Sequence, residues 1–383
     1  RSKLGNLRER EDDLGVLGNE LVPPITPRHP LMQDSTAYIG LDVHSRTCTM
    51  AWMNGEGTYR GTVTFATSGQ SLCEQIGKLE ATEKHLTLEE GPLAFWTARV
   101  LEEEVDRIVV CDPRENSLIS QAAHKSDEAD AKALARLLRL GEVKEVYQPS
   151  GDHRALFKQA ANHYTDLRDQ QRALKQKIKA RLKRWGLWKI PSADVYSKSG
   201  RKAYLEELSH EQIRTQVECL YRLLDRTHEE KQKARTELIE LGEPYWEIPE
   251  FQKIPGIGPV RAHLFDAIIQ TPHRFSTKQK VHRYCKLGIE SKSSGDRAAK
   301  EQLDDAGNGE LKNISYQAFR QARGEEDPNE IDAFYEASLE RTNNQTHARL
   351  NTQRKIVESM WALWKNEARY DPEKLLGPAN CAA

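Results

Sequence analysis

The sequence lacks both a long apolar run and any cysteine pair at CxxC spacing. A membrane span needs about 18 to 20 apolar residues in succession, and no such stretch occurs among the 383 residues. The six cysteines are scattered, which argues against a zinc site or disulfide framework and for reduced thiols. The opening residues 1–12 are charged throughout, unlike a secretory signal. These absences predict no membrane partner and a cytoplasmic location.

Net charge is also nearly absent, with 57 Lys and Arg against 58 Asp and Glu. A nucleic-acid-binding protein is expected to present a basic surface. The charge is segregated, however, because residues 168–189 contain nine Lys or Arg and one Asp. A solvated helix face is the ordinary explanation for such a run, whereas phosphate contact is the functional one. The candidate nucleic-acid-binding residues are Lys175, Lys177, Lys179, Arg181, Lys183 and Arg184.

The chain length and its patterns predict several domains. Residues 1–35 contain VPPITPRHP and are expected to form a flexible arm. From residue 36 to 150, three β-rich runs predict an antiparallel meander, and strands then alternate with helices. This order predicts an α/β layer fold, as in RNase H-like domains. Helices are expected at about 69–81, around 95–104 and from 127 onward.

The second half of the chain is predicted to be mostly helical. Residues 151–245 contain two long polar helices, at about 152–190 and 210–241, expected to pair as an antiparallel coiled-coil hairpin. The predicted seam of the first helix consists of Leu156, Ala160, Tyr164, Leu167, Leu174, Ile178, Leu182 and Trp185. A helical C-terminal domain is expected over 246–367, followed by an irregular tail over 368–383.

Four acidic residues carry the chemical prediction: Asp42, Glu89, Asp127 and Asp130. Asp42 lies within an apolar strand, where an unpaired carboxylate is costly, and Glu89 closes another strand. Asp127 and Asp130 share one face of a predicted helix. Each has an ordinary explanation as a strand-end acid or, after Ser126, as a helix N-terminal acid. Their order matches that in which RNase H-like nucleases gather Mg²⁺ (or Mn²⁺) ligands, which favours phosphodiester chemistry.

Six stretches of the chain together resemble a known family. They are GLDVH (40–44), LEEGPLAFW (88–96), KSDEADAKALARLLRLG (125–141), IPGIGPVRA (254–262), GNGELKN (307–313) and WALWK (361–365). In this order they are similar to the DEDD transposases of bacterial insertion sequences, relatives of the Piv DNA invertase with a RuvC-like nuclease domain. The resemblance covers roughly residues 38–367.

The resemblance implies roles for particular residues. Asp42, Glu89, Asp127 and Asp130 would form the DEDD site, with Glu90 as an alternative to Glu89. A serine that attacks DNA would be Ser294, and Ser293 and Ser291 are alternatives. The turn IPGIGPV resembles a helix-hairpin-helix, in which Gly256 and Gly258 let backbone N–H groups approach a phosphate; a plain interhelical turn is the alternative.

The implied function is that of a metal-dependent transposase or recombinase, a dimer or tetramer that cuts and rejoins donor and target DNA. The resemblance also implies a structured non-coding guide RNA, held by the coiled coil and the nuclease domain, which would explain why no base-reading motif is apparent. The alternatives are a site-specific DNA invertase of the same family, a RuvC-like nuclease without a covalent serine step, and a decayed nucleic-acid-binding protein. The expected location is the nucleoid of a bacterial or archaeal cell.

Overall fold

The computed structural model describes residues 35–113, 126–149, 151–189, 191–292, 300–304 and 306–376. The chain divides into two compact units between Gln148 and Pro149. Within the described ranges, no helix combines the length and the apolar character that a bilayer crossing requires.

Five strands of the first unit form one sheet in the order β3-β2-β1-β4-β5. They are β1 (Thr36–Val43), β2 (Thr47–Met53), β3 (Tyr59–Ala66), β4 (Glu83–Glu89) and β5 (Arg107–Cys111). The first three pair antiparallel, which confirms the predicted meander. Strands β4 and β5 run parallel to β1. The carboxyl ends of β1, β4 and β5 therefore share one edge of the sheet.

Three helices pack on this sheet: α1 (Gly69–Gly77), α2 (Ala94–Leu101) and α3 (Asp127–Leu140). Successive side chains of a strand point to opposite faces. Ile39 and Leu41 of β1 are buried in one core with Leu72 of α1. Gly40 faces the other side, where a Cβ would lie 2.0 Å from the carbonyl oxygen of Ala131 in α3. The sheet is thus covered on both faces, as the α/β prediction required, although α1 and α2 end earlier than predicted.

A long helical hairpin forms part of the second unit. Helix α4 (Asp152–Arg184) and helix α7 (Glu211–Gly242) are joined through the short helices α5 (Ser192–Tyr196) and α6 (Lys198–Glu206). Their contacts run in opposite directions: His153 bonds to Tyr245 just beyond α7, Gln171 to His228, and Arg181 to Gln216. The predicted antiparallel pairing is confirmed. Helix α4 ends six residues before the predicted position, at a turn where Gly186 has φ +93°.

The predicted seam of α4 is wrong at Leu156 and Trp185, whose exposed fractions are 57% and 42%. Phe157 is buried instead and stacks on the ring of Tyr245. Gln171 is also buried, because its side-chain oxygen accepts a 2.7 Å hydrogen bond from Lys231. Leu156 and Phe157 are adjacent and both apolar, so the spacing of apolar residues fits a seam through either one. The burial of Gln171 arises because hydrogen bonds stabilise a polar side chain at a buried seam position.

The start of α4 is attached to later helices through an ionic cluster. The guanidinium of Arg154 lies 3.2 Å from Glu247, contacts the fully buried Asp266, and stacks 3.5 Å from the centre of the Tyr245 ring. Burial raises the pKa of Asp266, Arg154 lowers it, and the neighbouring carboxylate of Glu247 raises it further. Burial and the second carboxylate together therefore outweigh Arg154 and favour a protonated Asp266.

The remaining helices build the main core of the second unit, in which Phe251, Phe265 and Met360 are buried. They are α8 (Glu247–Phe251), α9 (Pro259–Ile269), α10 (Lys278–Tyr284), α11 (Gly309–Ala322), α12 (Glu330–Thr342), α13 (Gln345–Lys365) and α14 (Pro372–Leu376). The prediction of an irregular tail is wrong for α14, which begins with a proline, a residue suited to the first helical turn. Two short antiparallel strands, β6 (Ile289–Lys292) and β7 (Lys300–Leu303), were not predicted.

Candidate metal centre

Asp42 lies at the carboxyl end of β1, on the same face as Gly40 and therefore on the side covered by α3. Its side chain is 20% exposed. Burial raises the pKa of this carboxyl, His44 lowers it, and the charges of Asp127 and Asp130 raise it again. The carboxylate is thus partly desolvated and surrounded by like charges, an arrangement that a bound cation would stabilise.

His44 is the residue of this site that the sequence prediction missed. Its Nε2 lies 3.1 Å from Oδ2 of Asp42 and 3.8 Å from Oδ1 of Asp127. One ligand atom from each of these three residues lies within 4.8 Å of the other two. His44 follows directly after β1, and its place in the site depends on its distance to Asp127, which the sequence alone does not give.

The amino end of α3 brings two of the predicted acids to this edge. Ser126 caps the helix, and its hydroxyl accepts a 3.2 Å hydrogen bond from the backbone N–H of Ala129. Asp127 is exposed and Asp130 is half-buried, and both lie in the first turn, where the helix dipole favours negative charge. The helix-cap explanation and the metal-ligand explanation therefore apply together to the same residues.

Glu89 is placed at this edge by strand register. Leu88 of β4 lies beside Leu41 of β1, so the next residues, Glu89 and Asp42, lie at the carboxyl ends of neighbouring parallel strands. Thr87 pairs with Gly40, and alternation then sets Glu89 on the face of Asp42 and turns Glu90 the other way. Glu89 and Glu90 are both exposed. The register favours Glu89 as the ligand.

Two family models match separate stretches of the chain. One, described as "Transposase", matches residues 39–186, which include the four predicted acids and His44. The other, described as "Transposase IS116/IS110/IS902 family", matches residues 249–336. The chain belongs to the DEDD-type family of insertion-sequence transposases.

A curated relative supports this assignment over most of the chain. The protein named "Putative transposase y4qE" from Sinorhizobium fredii (strain NBRC 101917 / NGR234) is 24% identical over 319 residues. The alignment covers 78% of this chain and 75% of the relative. An alignment of that length includes parts of both compact units. DEDD domains generally use divalent metal ions, and transposases act on DNA.

The residues of this transposase fit a divalent ion. Two carboxylate oxygens and one imidazole nitrogen converge within 4.8 Å, and the half-buried Asp130 adds charge near Asp42. Carboxylates suit Mg²⁺ and Mn²⁺, whereas an imidazole ligand is better suited to Mn²⁺ than to Mg²⁺. The potential ligand atoms therefore include a nitrogen, whereas the four predicted acids would supply only oxygen.

The basic residues predicted on α4 fall into two groups. Lys177, Arg181, Lys183 and Arg184 are exposed. Lys175 and Lys179 are half-buried, and their ammonium groups lie 5.0 and 5.8 Å from the ring centre of Tyr196. The first group is open to solvent, whereas the second packs against α5.

The two glycines of the predicted DNA-contacting turn have different surroundings. Gly256 has φ +78°, and a Cβ there would lie 2.1 Å from the carbonyl oxygen of Ala318 in α11, so packing against α11 already requires glycine. Gly258 has open space around it and caps α9 through its backbone alone. It borders a cavity of about 450 Å³ together with Arg168 and Arg261. Of the two glycines, Gly258 is the one open to a phosphate.

The candidate serines are only partly described. Ser293 and Ser294 lie outside the described residues. Ser291 belongs to β6, where its backbone pairs with that of Glu301. The segment that contains Ser293 and Ser294 is flanked in the chain by β6 and β7.

Proposed function

We propose that this transposase cuts and rejoins donor and target DNA with a divalent-metal site and a serine nucleophile, guided by a non-coding RNA. The observation that carries the proposal is the convergence of Asp42, His44 and Asp127 within the stretch that matches a transposase family. The RNase H-like assignment of the first unit is supported by its strand order, β3-β2-β1-β4-β5, with helices on both faces.

The acids at the carboxyl edge of the sheet would hold Mg²⁺ or Mn²⁺. Asp42 and Asp127 are the facing carboxylates, Asp130 adds negative charge from the same helical turn, and Glu89 ends the adjacent strand. Ions bound there would offset the charge that develops on the attacking and leaving oxygens of a phosphodiester. His44 would offer its Nε2 to the ion as a third ligand atom, beside the carboxylates of Asp42 and Asp127.

Ser294 is proposed as the residue that becomes linked to DNA, with Ser293 and Ser291 as alternatives. The exposed cations of α4, at Lys177, Arg181, Lys183 and Arg184, are proposed to contact the RNA. Gly258 and the neighbouring guanidinium of Arg261 are proposed to contact DNA without reading its sequence. The proposed assembly is a dimer or tetramer, acting on the nucleoid in the cytoplasm.

A strand-exchange assay tests this function. Purified protein is incubated with labelled donor and target duplexes and Mg²⁺, with and without the RNA that copurifies with it. We expect joined products that require both RNA and Mg²⁺, and a protein–DNA adduct that survives denaturation in the wild type and in Ser291→Ala but not in Ser294→Ala. Cutting without joining or adduct would identify a nuclease, and inversion of an internal segment would identify an invertase.

A further inference from the structure

A cavity of about 530 Å³ lies in the second unit at the base of strands β6 and β7. Its walls come from α10, from the start of β6 and from α13. Its lining includes Lys280, His282, Arg283, Leu287, Ile289 and Arg354. Neither the metal centre nor the basic face of α4 includes any of them.

Arg354 of α13 is the central cation of this cavity. Its guanidinium is half-buried and donates hydrogen bonds of 2.8 Å to the backbone oxygen of Leu287 and 2.9 Å to the side-chain oxygen of Asn351. Both acceptors are neutral, and among the described residues Arg354 forms no ion pair. Burial lowers its pKa, with no opposing carboxylate. A guanidinium has five N–H donors, so an anion in the cavity would both neutralise and hydrogen-bond it.

Further cations line the cavity around Arg354. Arg283 donates through Nε to Asp304 at 2.6 Å, yet its side chain remains 70% exposed. Lys280 is exposed at the rim. The acids of the cavity, Asp304 and Glu290, already accept hydrogen bonds from Arg283 and from Gln302. Three cations, Arg354, Arg283 and Lys280, line the cavity against these two acids, so its charge balance is positive by one.

The cavity also has an apolar wall, since Leu287 is buried and Ile289 is 59% exposed. His282 adds a buried Nε2 that has no hydrogen-bond partner among the described residues, although Glu358 lies 3.6 Å away. Cations that face an exposed apolar side chain suit a nucleotide unit, which combines a phosphate with a less polar sugar. An inorganic anion has no apolar part that could contact Ile289.

We propose that this cavity binds a phosphodiester group of the DNA strand, with Arg354, Arg283 and Lys280 facing the phosphate and Ile289 against the sugar. The inference rests on the proposed function, because it takes DNA as the ligand. Strand β6 leads from the cavity directly into residues 293–299, which contain Ser293 and Ser294. Ile289 precedes Lys292 by three residues, or about 10 Å of strand, so the bound phosphate lies within a few nucleotides of the end of β6.

The test measures DNA binding by the full chain at several salt concentrations. Fluorescence anisotropy of a labelled duplex gives the slope of log affinity against log salt, which changes by about 0.9 for each phosphate that the protein no longer neutralises. For Arg354→Gln we expect about tenfold weaker binding at low salt and a slope smaller by about one. Lys355→Gln is the matched control, since it removes the same charge from the same helix at a side chain that lies 5.9 Å from the Phe334 ring. Equal slopes in these two variants would overturn the proposal.

A second variant covers the case in which Arg354→Gln does not fold, because Arg354 also supports the backbone at Leu287. Lys280→Glu changes an exposed side chain and is expected to weaken duplex binding at least tenfold. Unchanged binding would refute the proposal that the cavity binds DNA.

A parallel titration with RNA of the same sequence distinguishes the source of the phosphate, since an effect on RNA binding alone would exclude DNA as the ligand of the cavity. The assay reads binding and not strand joining. If the wild type binds DNA without joining it, the proposed function is refuted, and the binding of DNA by the cavity is still tested by the variants.

Discussion

Gly40 of β1 lies directly beneath the backbone of Ala131 in α3, and a Cβ at position 40 would be 2.0 Å from the Ala131 carbonyl oxygen. Backbone atoms cannot yield as a flexible side chain would. Gly40→Ala is therefore expected to push α3 away from the sheet and to destabilise the first unit by about 3 kcal/mol. Chemical denaturation measures this loss. Gly77→Ala is the control, because a Cβ there meets nothing within 4 Å; equal stability of the two variants would contradict the argument.

Neutralising the acids of the metal centre tests their role separately from folding. Asp42→Asn and Asp127→Asn are each expected to lower metal-dependent DNA cleavage at least about 100-fold, since even residues that only support metal ligands contribute about 10- to 100-fold. The rate of cleavage of a labelled duplex at saturating Mg²⁺ measures it. Glu128→Gln is the matched control, because Glu128 lies in the same turn but pairs with Lys132 at 2.6 Å. An equal loss in the control would show that charge alone matters.

The imidazole of His44 gives a prediction about metal preference. Because a nitrogen ligand is better suited to Mn²⁺ than to Mg²⁺, His44→Ala is expected to weaken Mn²⁺ binding about tenfold and Mg²⁺ binding less. Titration calorimetry with each ion gives the dissociation constants. His85→Ala serves as control, since His85 lies near the other end of the sheet and faces Glu83. Identical losses for both ions would assign His44 to positioning and not to ligation.

The division of the basic residues on α4 predicts unequal contributions to RNA binding. The double variant Lys183→Ala/Arg184→Ala removes two exposed cations and is expected to reduce the salt slope of RNA binding by about one per side chain. Lys233→Ala provides the comparison, as this lysine is exposed on α7 and paired with Glu230. If the double variant keeps the wild-type salt slope, these cations contact solvent and do not contact the RNA.

Asp266 makes the stability of the second unit depend on pH. Its folded pKa is raised, by burial and by Glu247, so the folded state favours the protonated acid. Stability is then lost as pH rises from the unfolded pKa of about 3.9 through the folded pKa. Asp266→Asn keeps the shape but cannot titrate. The free energy of unfolding of Asp266→Asn, relative to that of the wild type, is therefore expected to increase as pH rises. Urea denaturation at several pH values measures both free energies, and a difference that does not change with pH would contradict the raised pKa.

The sequence predicted those elements whose apolar periodicity is strong. The strands of the meander are short β-rich runs separated by turn residues, α3 has one clear buried face, and α4 and α7 are long enough for their pairing to be inferred. Strands β6 and β7 were missed because each has four mostly polar residues, with no alternation to detect. The seam of α4 was misplaced because Leu156 and Phe157 are adjacent and both apolar, and tertiary contacts of Phe157, with Tyr245 and His263, decide between them.

The candidate site was predicted in outline for a related reason. Acids at strand ends and helix starts are recognisable by position, so Asp42, Glu89, Asp127 and Asp130 could be named. His44 could not be chosen over other histidines, because its role depends on its distance to Asp127, 83 positions later in the chain. Likewise, the packing of Gly256 against Ala318 in α11 is a tertiary contact that a turn motif does not reveal.

The close approach of β1 and α3 at Gly40 also bears on copies of such an element within a genome. An intact set of four acids does not by itself show that a copy is active. If the proposed metal site is correct, a copy that keeps Asp42, Glu89, Asp127 and Asp130 but carries a larger residue at position 40 is expected to hold α3 away from β1 and to lose activity. The residue at position 40 is therefore expected to distinguish active copies from inactive ones that retain all four acids.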